Sequence, residues 1–214
     1  MVPQARPLSR GEILGCTAPK FVERDYIIYL GDGRFHLEAI MISNPTIAAF
    51  RYDPYTNKIT RERYDHTQMQ MLRTNAIEIS KRATTFGLIV GTLGRQGNKK
   101  VIEYLSDLLK SNGKKFITIL VSEITPHKLD MFRNVDAWIQ VSCPRLSIDW
   151  GYAFTKPLIT PYEAAVVFGS VRKWDDVEFD KNGEEMSKDY PMDFYASGSL
   201  GPWTPNHIPK KIQL

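Results

Sequence analysis

The stretch 86–150 restricts the fold more than any other part of the chain. Phe86-Gly87-Leu88-Ile89-Val90 is a short apolar run closed by Gly91, the pattern of a buried strand that ends in a tight loop. Asn98 precedes Val101, Ile102, Leu105, Leu108 and Leu109, which share one helical face; its side chain can cap the first amides of that helix. Asn112-Gly113 ends the helix, because glycine accepts the left-handed conformation. Residues 116–121 form the next apolar run, 125–132 a short helix, and 137–141 a third strand followed by Cys143. Strand, helix, strand, helix, strand predicts an α/β fold with a parallel sheet flanked by helices, Rossmann-like in kind. Ligands in such sheets sit outside the carboxyl ends of the strands. Gly91–Gly97 and Ser142–Arg145 fall there.

The rest of the chain is less regular. Residues 26–30 read as a strand running into Gly31-Asp32-Gly33, and 37–42 and 48–52 as further strands. Asp65-His66-Thr67-Gln68 resembles a capping box, and Met69, Leu72, Ala76 and Ile79 behind it form a helical stripe expected in the core. Thr160-Pro161-Tyr162-Glu163 opens a helix to Phe168. Residues 171–189 are charged and read as a flexible connection. Residues 190–207, rich in aromatics, Pro and Gly, predict an extended C-terminal arm.

Composition removes several function classes. With 28 Lys+Arg against 24 Asp+Glu, the net charge of +4 is too mild to argue for nucleic acid or an anionic membrane surface. No run approaches the roughly 18 apolar residues of a membrane helix, and the start has no signal-peptide stretch. A soluble, cytoplasmic protein is expected. Two cysteines exclude a disulfide scaffold, and neither Cys16 nor Cys143 lies in a Cys-x-x-Cys. A buried small apolar residue is the ordinary reading of each.

The candidate motifs leave alternatives open. Gly91–Gly97 is neither a Walker loop nor Gly-x-Gly-x-x-Gly, so a structural turn and a ligand loop both stand; Arg95 and Gln96 add polar groups that folding does not require. Asp32-Gly33 suits a hairpin turn, and His36 beyond it can face a ligand or nothing. Arg145, two residues after Cys143, is placed to lower the thiol pKa. Arg145 and Asp149 can grip a zwitterion or form a surface pair of little value.

Taken together, several segments resemble the diphthamide synthesis family, in the family's order and over nearly the whole chain. They are 8–17, 29–38 (Tyr-Leu-Gly-Asp-Gly-Arg-Phe-His-Leu-Glu), Arg51-Tyr52-Asp53-Pro54, Gly91–Gly97, Ser142–Gly151, 156–164 and Tyr190–Tyr195. The Cys143 segment and the tail are similar to the family's first subunit type rather than to its paralogous partner.

The resemblance implies related α/β modules, each giving one cysteine to a 4Fe–4S cluster. By motif, 1–84 corresponds to the middle module, truncated at its start, 85–170 to the C-terminal module, and 171–214 to the connection and arm. Cys16 and Cys143 would be cluster ligands, and the third would belong to a first module not found in this sequence. The implied reaction is transfer of a 3-amino-3-carboxypropyl group from S-adenosylmethionine to a histidine of elongation factor 2 by radical chemistry. Gly94, Arg95, Gln96, Gly97, Arg145, Asp149 and, as a neighbour, His36 would hold S-adenosylmethionine. Implied partners are a paralogous second subunit, elongation factor 2 and a small iron-containing electron donor. A non-catalytic scaffold of the same complex and a generic nucleotide-binding α/β domain are the alternatives.

Overall fold

The computed structural model describes residues 2–94, 96–176 and 189–208. The chain divides into two compact units: Met1–His66 with Trp174–Leu200, and Thr67–Lys173 with Gly201–Leu214. Compactness thus changes unit between His66 and Thr67, whereas the module division proposed from sequence lies at 84/85. Helix α2 accordingly belongs with the second sheet.

In the first unit, β1 (Tyr26–Leu30) is followed by α1 (Phe35–Ser43), β2 (Ala48–Asp53) and β3 (Lys58–Glu62). The sheet order is β1-β2-β3. Tyr26 pairs with Ala48 in a parallel β1–β2 ladder, and Asp53 with Lys58 in an antiparallel hairpin. Two sequence expectations are corrected here. Residues 37–42 form a helix, not a strand. Nearly every one of them is buried, so the run carries no period to separate the two. Gly31-Asp32-Gly33 is the loop entering that crossover helix rather than a hairpin turn. The hairpin strand β3 went unrecognised because its side chains are polar and exposed.

Helix α2 (His66–Lys81), in the second unit from Thr67 on, leads to β4 (Thr85–Gly91), α3 (Lys99–Ser111), β5 (Lys115–Val121), α4 (Pro126–Asp130), β6 (Ala137–Val141), α5 (Pro144–Trp150), β7 (Leu158–Ile159) and α6 (Pro161–Val167). The sheet is wholly parallel in the order β5-β4-β6-β7. Both faces are covered. Leu88, Ile139 and Val141 pack with Val101, Leu105 and Leu109 of α3; Ile89 and Trp138 pack with Leu129, Val135 and Leu158. The α/β reading from sequence holds. Asn98 caps α3 by accepting from the Lys100 and Val101 amides, and Gly113 takes φ +63° beyond its end. Thr160 and Glu163 form a reciprocal capping box on α6.

The α2 stripe is corrected. Met69, Arg73, Ala76, Ile77 and Ser80 are its buried positions, while Ile79 is exposed. Residues 190–200 form an extended arm within the first unit. Its backbone meets the Cys16 turn through Ala18 N–H to Met192 O (2.9 Å) and Phe194 N–H to Cys16 O (3.2 Å), and Met192 and Phe194 are buried. Residues 201–208 return to the second unit, where Trp203 packs on Tyr162. Among the described residues, no helix is long and apolar enough to cross a membrane.

Candidate functional site

The crossover pattern of the second sheet selects its own ligand-binding edge. From β4 the chain moves outward to β5, then returns past β4 to β6. The strand order therefore reverses between β4 and β6, and the carboxyl ends at such a reversal are where sheets of this kind bind ligands. The loops leaving those two strands are 92–98 and 142–143.

These loops are joined. Ser142 Oγ donates to Gln96 Oε1 at 3.0 Å. Gly91 permits the approach, since a Cβ there would stand 2.7 Å from Ser142 Oγ. Gly94 adopts φ +70°, a conformation that glycine takes without strain. Gly97 lies so close to the Gly91 carbonyl that a Cβ would reach it at 2.7 Å. Arg95 lies outside the described residues. Ser142 lies in the candidate segment Ser142–Arg145 but had no role from sequence; its signal there is its place just after an apolar strand.

Cys143 follows as the N-cap of α5, with Pro144 at the first helical position. Its thiol is free and half-buried. Burial pushes that thiol up in pKa; the Arg145 and Leu146 backbone N–H groups and the Arg145 charge work against the rise, and Asp149 adds to it. Arg145 thus acts in the expected direction, and burial outweighs it. Its guanidinium is engaged by Asp149, with Nε 3.0 and 2.9 Å from the two carboxylate oxygens and Nη2 at 2.8 Å from Oδ2. That pair is more than surface decoration, since the Arg145 side chain is 2% exposed and the Asp149 side chain 22%.

The first unit holds the other two candidates. Cys16 is buried and lies in no disulfide, and the Thr17 hydroxyl donates to its sulfur at 3.9 Å. It sits in a turn closed by Leu14 N–H to Thr17 O (2.9 Å) and tied to the arm through Tyr195 N–H to Thr17 Oγ1 (2.9 Å). Phe35 lies against Gly15, where a Cβ would come within 2.0 Å of the ring. His36 packs edge-on to Phe35, with centroids 5.6 Å apart, so it borders the Cys16 turn through that ring.

The structure thus brings Gly91, Gln96 and Ser142 together, and pairs Arg145 with Asp149 beside Cys143. Each unit carries one cysteine outside any disulfide, of the donor type that suits iron–sulfur ligation. Among the described residues, no three His, Cys, Asp or Glu side chains gather as a metal site. Each thiol by itself therefore fits one sulfur ligand and not a whole metal site.

Comparison with known proteins supplies the family. Over 213 residues the chain is 53% identical to "2-(3-amino-3-carboxypropyl)histidine synthase subunit 1" of Gallus gallus, covering 99% of this chain and 49% of that protein. The protein of the same name from Schizosaccharomyces pombe is 54% identical over 97% of this chain and 45% of its own length; the Homo sapiens one is 54% identical over 96% and 44%. The chain thus spans about half the length of these relatives. Among solved structures, Dph2 from Pyrococcus horikoshii with a 4Fe-4S cluster superposes with a TM-score of 0.64 at 26% identity, over 89% of this chain and 54% of that one. Another Dph2 structure from the same organism gives 0.65 at 27%, over the same shares. The sequence model of diphthamide synthesis proteins matches residues 1–179: the chain belongs to the diphthamide synthesis protein family.

Proposed function

We propose that this chain forms part of an enzyme subunit that transfers a 3-amino-3-carboxypropyl group from S-adenosylmethionine to a histidine of elongation factor 2, the first step of diphthamide synthesis. The observation that carries the reading is Cys143: a free thiol at the carboxyl edge between β4 and β6, flanked by the Ser142–Gln96 contact and the Arg145–Asp149 pair. Relatives of the same family carry the synthase name, and a Dph2 neighbour carries a 4Fe–4S cluster.

In this reading Cys16 and Cys143 each offer one thiolate to a cluster. When bound by three protein thiolates, such a cluster supplies reducing power and one open iron position. The chain's own residues bind and orient. Asp149 receives the ammonium of S-adenosylmethionine and Arg145 faces its carboxylate, while Gln96 and the Gly94–Gly97 loop hold another part of it, with Arg95 included in the loop. His36 borders the Cys16 side. A paralogous subunit, elongation factor 2 and a small iron-containing electron donor are the proposed partners, and the cytoplasm is the proposed setting.

The test is iron and sulfide content after anaerobic reconstitution with the partner subunit, for the chain and for Cys16→Ala/Cys143→Ala. Cysteine-dependent iron is expected. Equal iron in both proteins, or none in either, removes the cluster from this chain and leaves a partner-binding role.

A further inference from the structure

Helix α5 is only seven residues long, and a helix that short has little stability of its own. Two buried polar side chains from other elements of the second unit grip it. Gln140 of β6 is fully buried. Its Nε2 donates to the Cys143 carbonyl at 3.0 Å and to Ser147 Oγ at 3.1 Å. Arg73 of α2 donates from Nη1 to the Ser147 carbonyl at 2.7 Å and from Nη2 to the Leu158 carbonyl at 2.8 Å. The Glu163 carboxylate locks the guanidinium in a fork, with Nε to Oε1 and Nη2 to Oε2 both at 2.7 Å. Glu163 also accepts from the Thr160 amide at 2.8 Å. Gly151, just past α5, leaves the space: a Cβ there would stand 2.3 Å from Arg73 Nη1.

Stability alone does not account for these groups. The Arg73 and Glu163 side chains are 2% and 0% exposed, and apolar replacement of such a pair is often neutral or stabilising. Gln140 Oε1 is buried with no partner among the described residues, which costs free energy that an apolar residue would avoid. What the groups share is Ser147. Arg73 takes its carbonyl and Gln140 takes its hydroxyl, and Gln140 reaches on to Cys143.

We infer that Gln140 and Arg73, the latter locked by Glu163, are positioning residues that fix α5 and set the place of the Cys143 thiol. The value of that placement to catalysis rests on the cluster reading above. Neither residue touches the cofactor; both act through the backbone that carries Cys143.

The test uses the full cluster-free chain, with iodoacetamide labelling of Cys143 and Cys16 followed by mass at one pH. Gln140→Met keeps volume and removes the donor. Arg73→Met/Glu163→Leu removes both charges together. Thermal midpoints close to the parent are expected, with Cys143 labelled about five- to tenfold faster, the factor that loss of one buried hydrogen bond gives, and Cys16 unchanged. After reconstitution, the reduced cluster of either variant should show an altered electron paramagnetic resonance signal. An unchanged Cys143 rate in Gln140→Met overturns the inference whatever the iron content. So does faster labelling of both cysteines in step with a fallen midpoint, which marks a purely structural role. If the double variant fails to fold, Gln140→Met decides alone. A parent chain that takes up no iron overturns the cluster reading, and the labelling still decides whether Gln140 and Arg73 place the thiol.

Discussion

In the second unit every residue of β6 is buried, between helices on both faces of the sheet. In the first unit β1 is an edge strand whose Ile28 and Leu30 side chains are 59% and 68% exposed, and the core cluster there is Leu37, Met41 and Ala49 with Tyr29 and Tyr64 against it. The two cysteines differ in the same way. Cys143 is placed by neighbours within one α/β layer. Cys16 sits in a turn and is held by the arm, 178 residues away at the Tyr195–Thr17 contact. Enclosure by regular elements lets a unit's own strands and helices place a site; a turn needs an added segment to hold it.

The largest expected effect tests that contrast in packing. Phe86→Ala should cost the second unit about 3–5 kcal/mol, and Leu37→Ala should cost the first unit about 2–3 kcal/mol, because the smaller cluster closes more easily around the lost volume. Denaturant midpoints with amide exchange read unit by unit would check this. Exchange in β1–β3 that is slower than in β4–β6 would break the comparison.

Gly15→Ala should be the next largest. Its Cβ meets the Phe35 ring, so the ring must move, and overpacking of this kind costs about 1–3 kcal/mol. Faster iodoacetamide labelling of Cys16 with Cys143 unchanged would locate the damage. Arg145→Lys should weaken S-adenosylmethionine binding several-fold while the midpoint moves little, since lysine keeps the charge but loses the fork; calorimetric titration would show it. Unchanged affinity removes Arg145 from the binding group.

The smallest effects are in pH. Burial holds His66 below its ordinary value, with Asp189 and Asp65 opposing. The neutral ring is favoured in the fold, so this contribution is intact above the usual ~6.5 and is lost as pH falls below it. Hydrogen bonds from the Thr85 and Thr84 amides and the Thr84 hydroxyl hold Asp136 low. That contribution is intact above the usual ~3.9 and is lost as pH falls through the lower folded value. Acidification should therefore loosen the first unit as pH falls below ~6.5 and the second only as it falls below ~3.9. His66→Gln should flatten the first window, and Asp136→Asn the second.

Much of this was legible in the sequence because its signals are local. The apolar runs of β4, β5 and β6, the Asn98 cap and the Gly113 stop each depend on residues within one turn or one strand. The carboxyl-edge location of Gly91–Gly97 and of Cys143 followed from that alternation alone. The α1 segment was not legible, since an apolar run buried on all sides has no period. Nor was the burial of the Cys143 thiol, which outweighs the Arg145 charge and sets the direction of its shift.

What the sequence by itself determined was the α/β alternation, the edge on which a site must lie and the Cys143 thiol at that edge. Tertiary structure decided which side chains face that edge. Arg73 belongs to the core because Glu163, 90 residues on, receives its charge, and Ile79 faces solvent in the same helix. A charged residue enters a core only where a partner closes around it, and no local pattern records a partner that far along the chain.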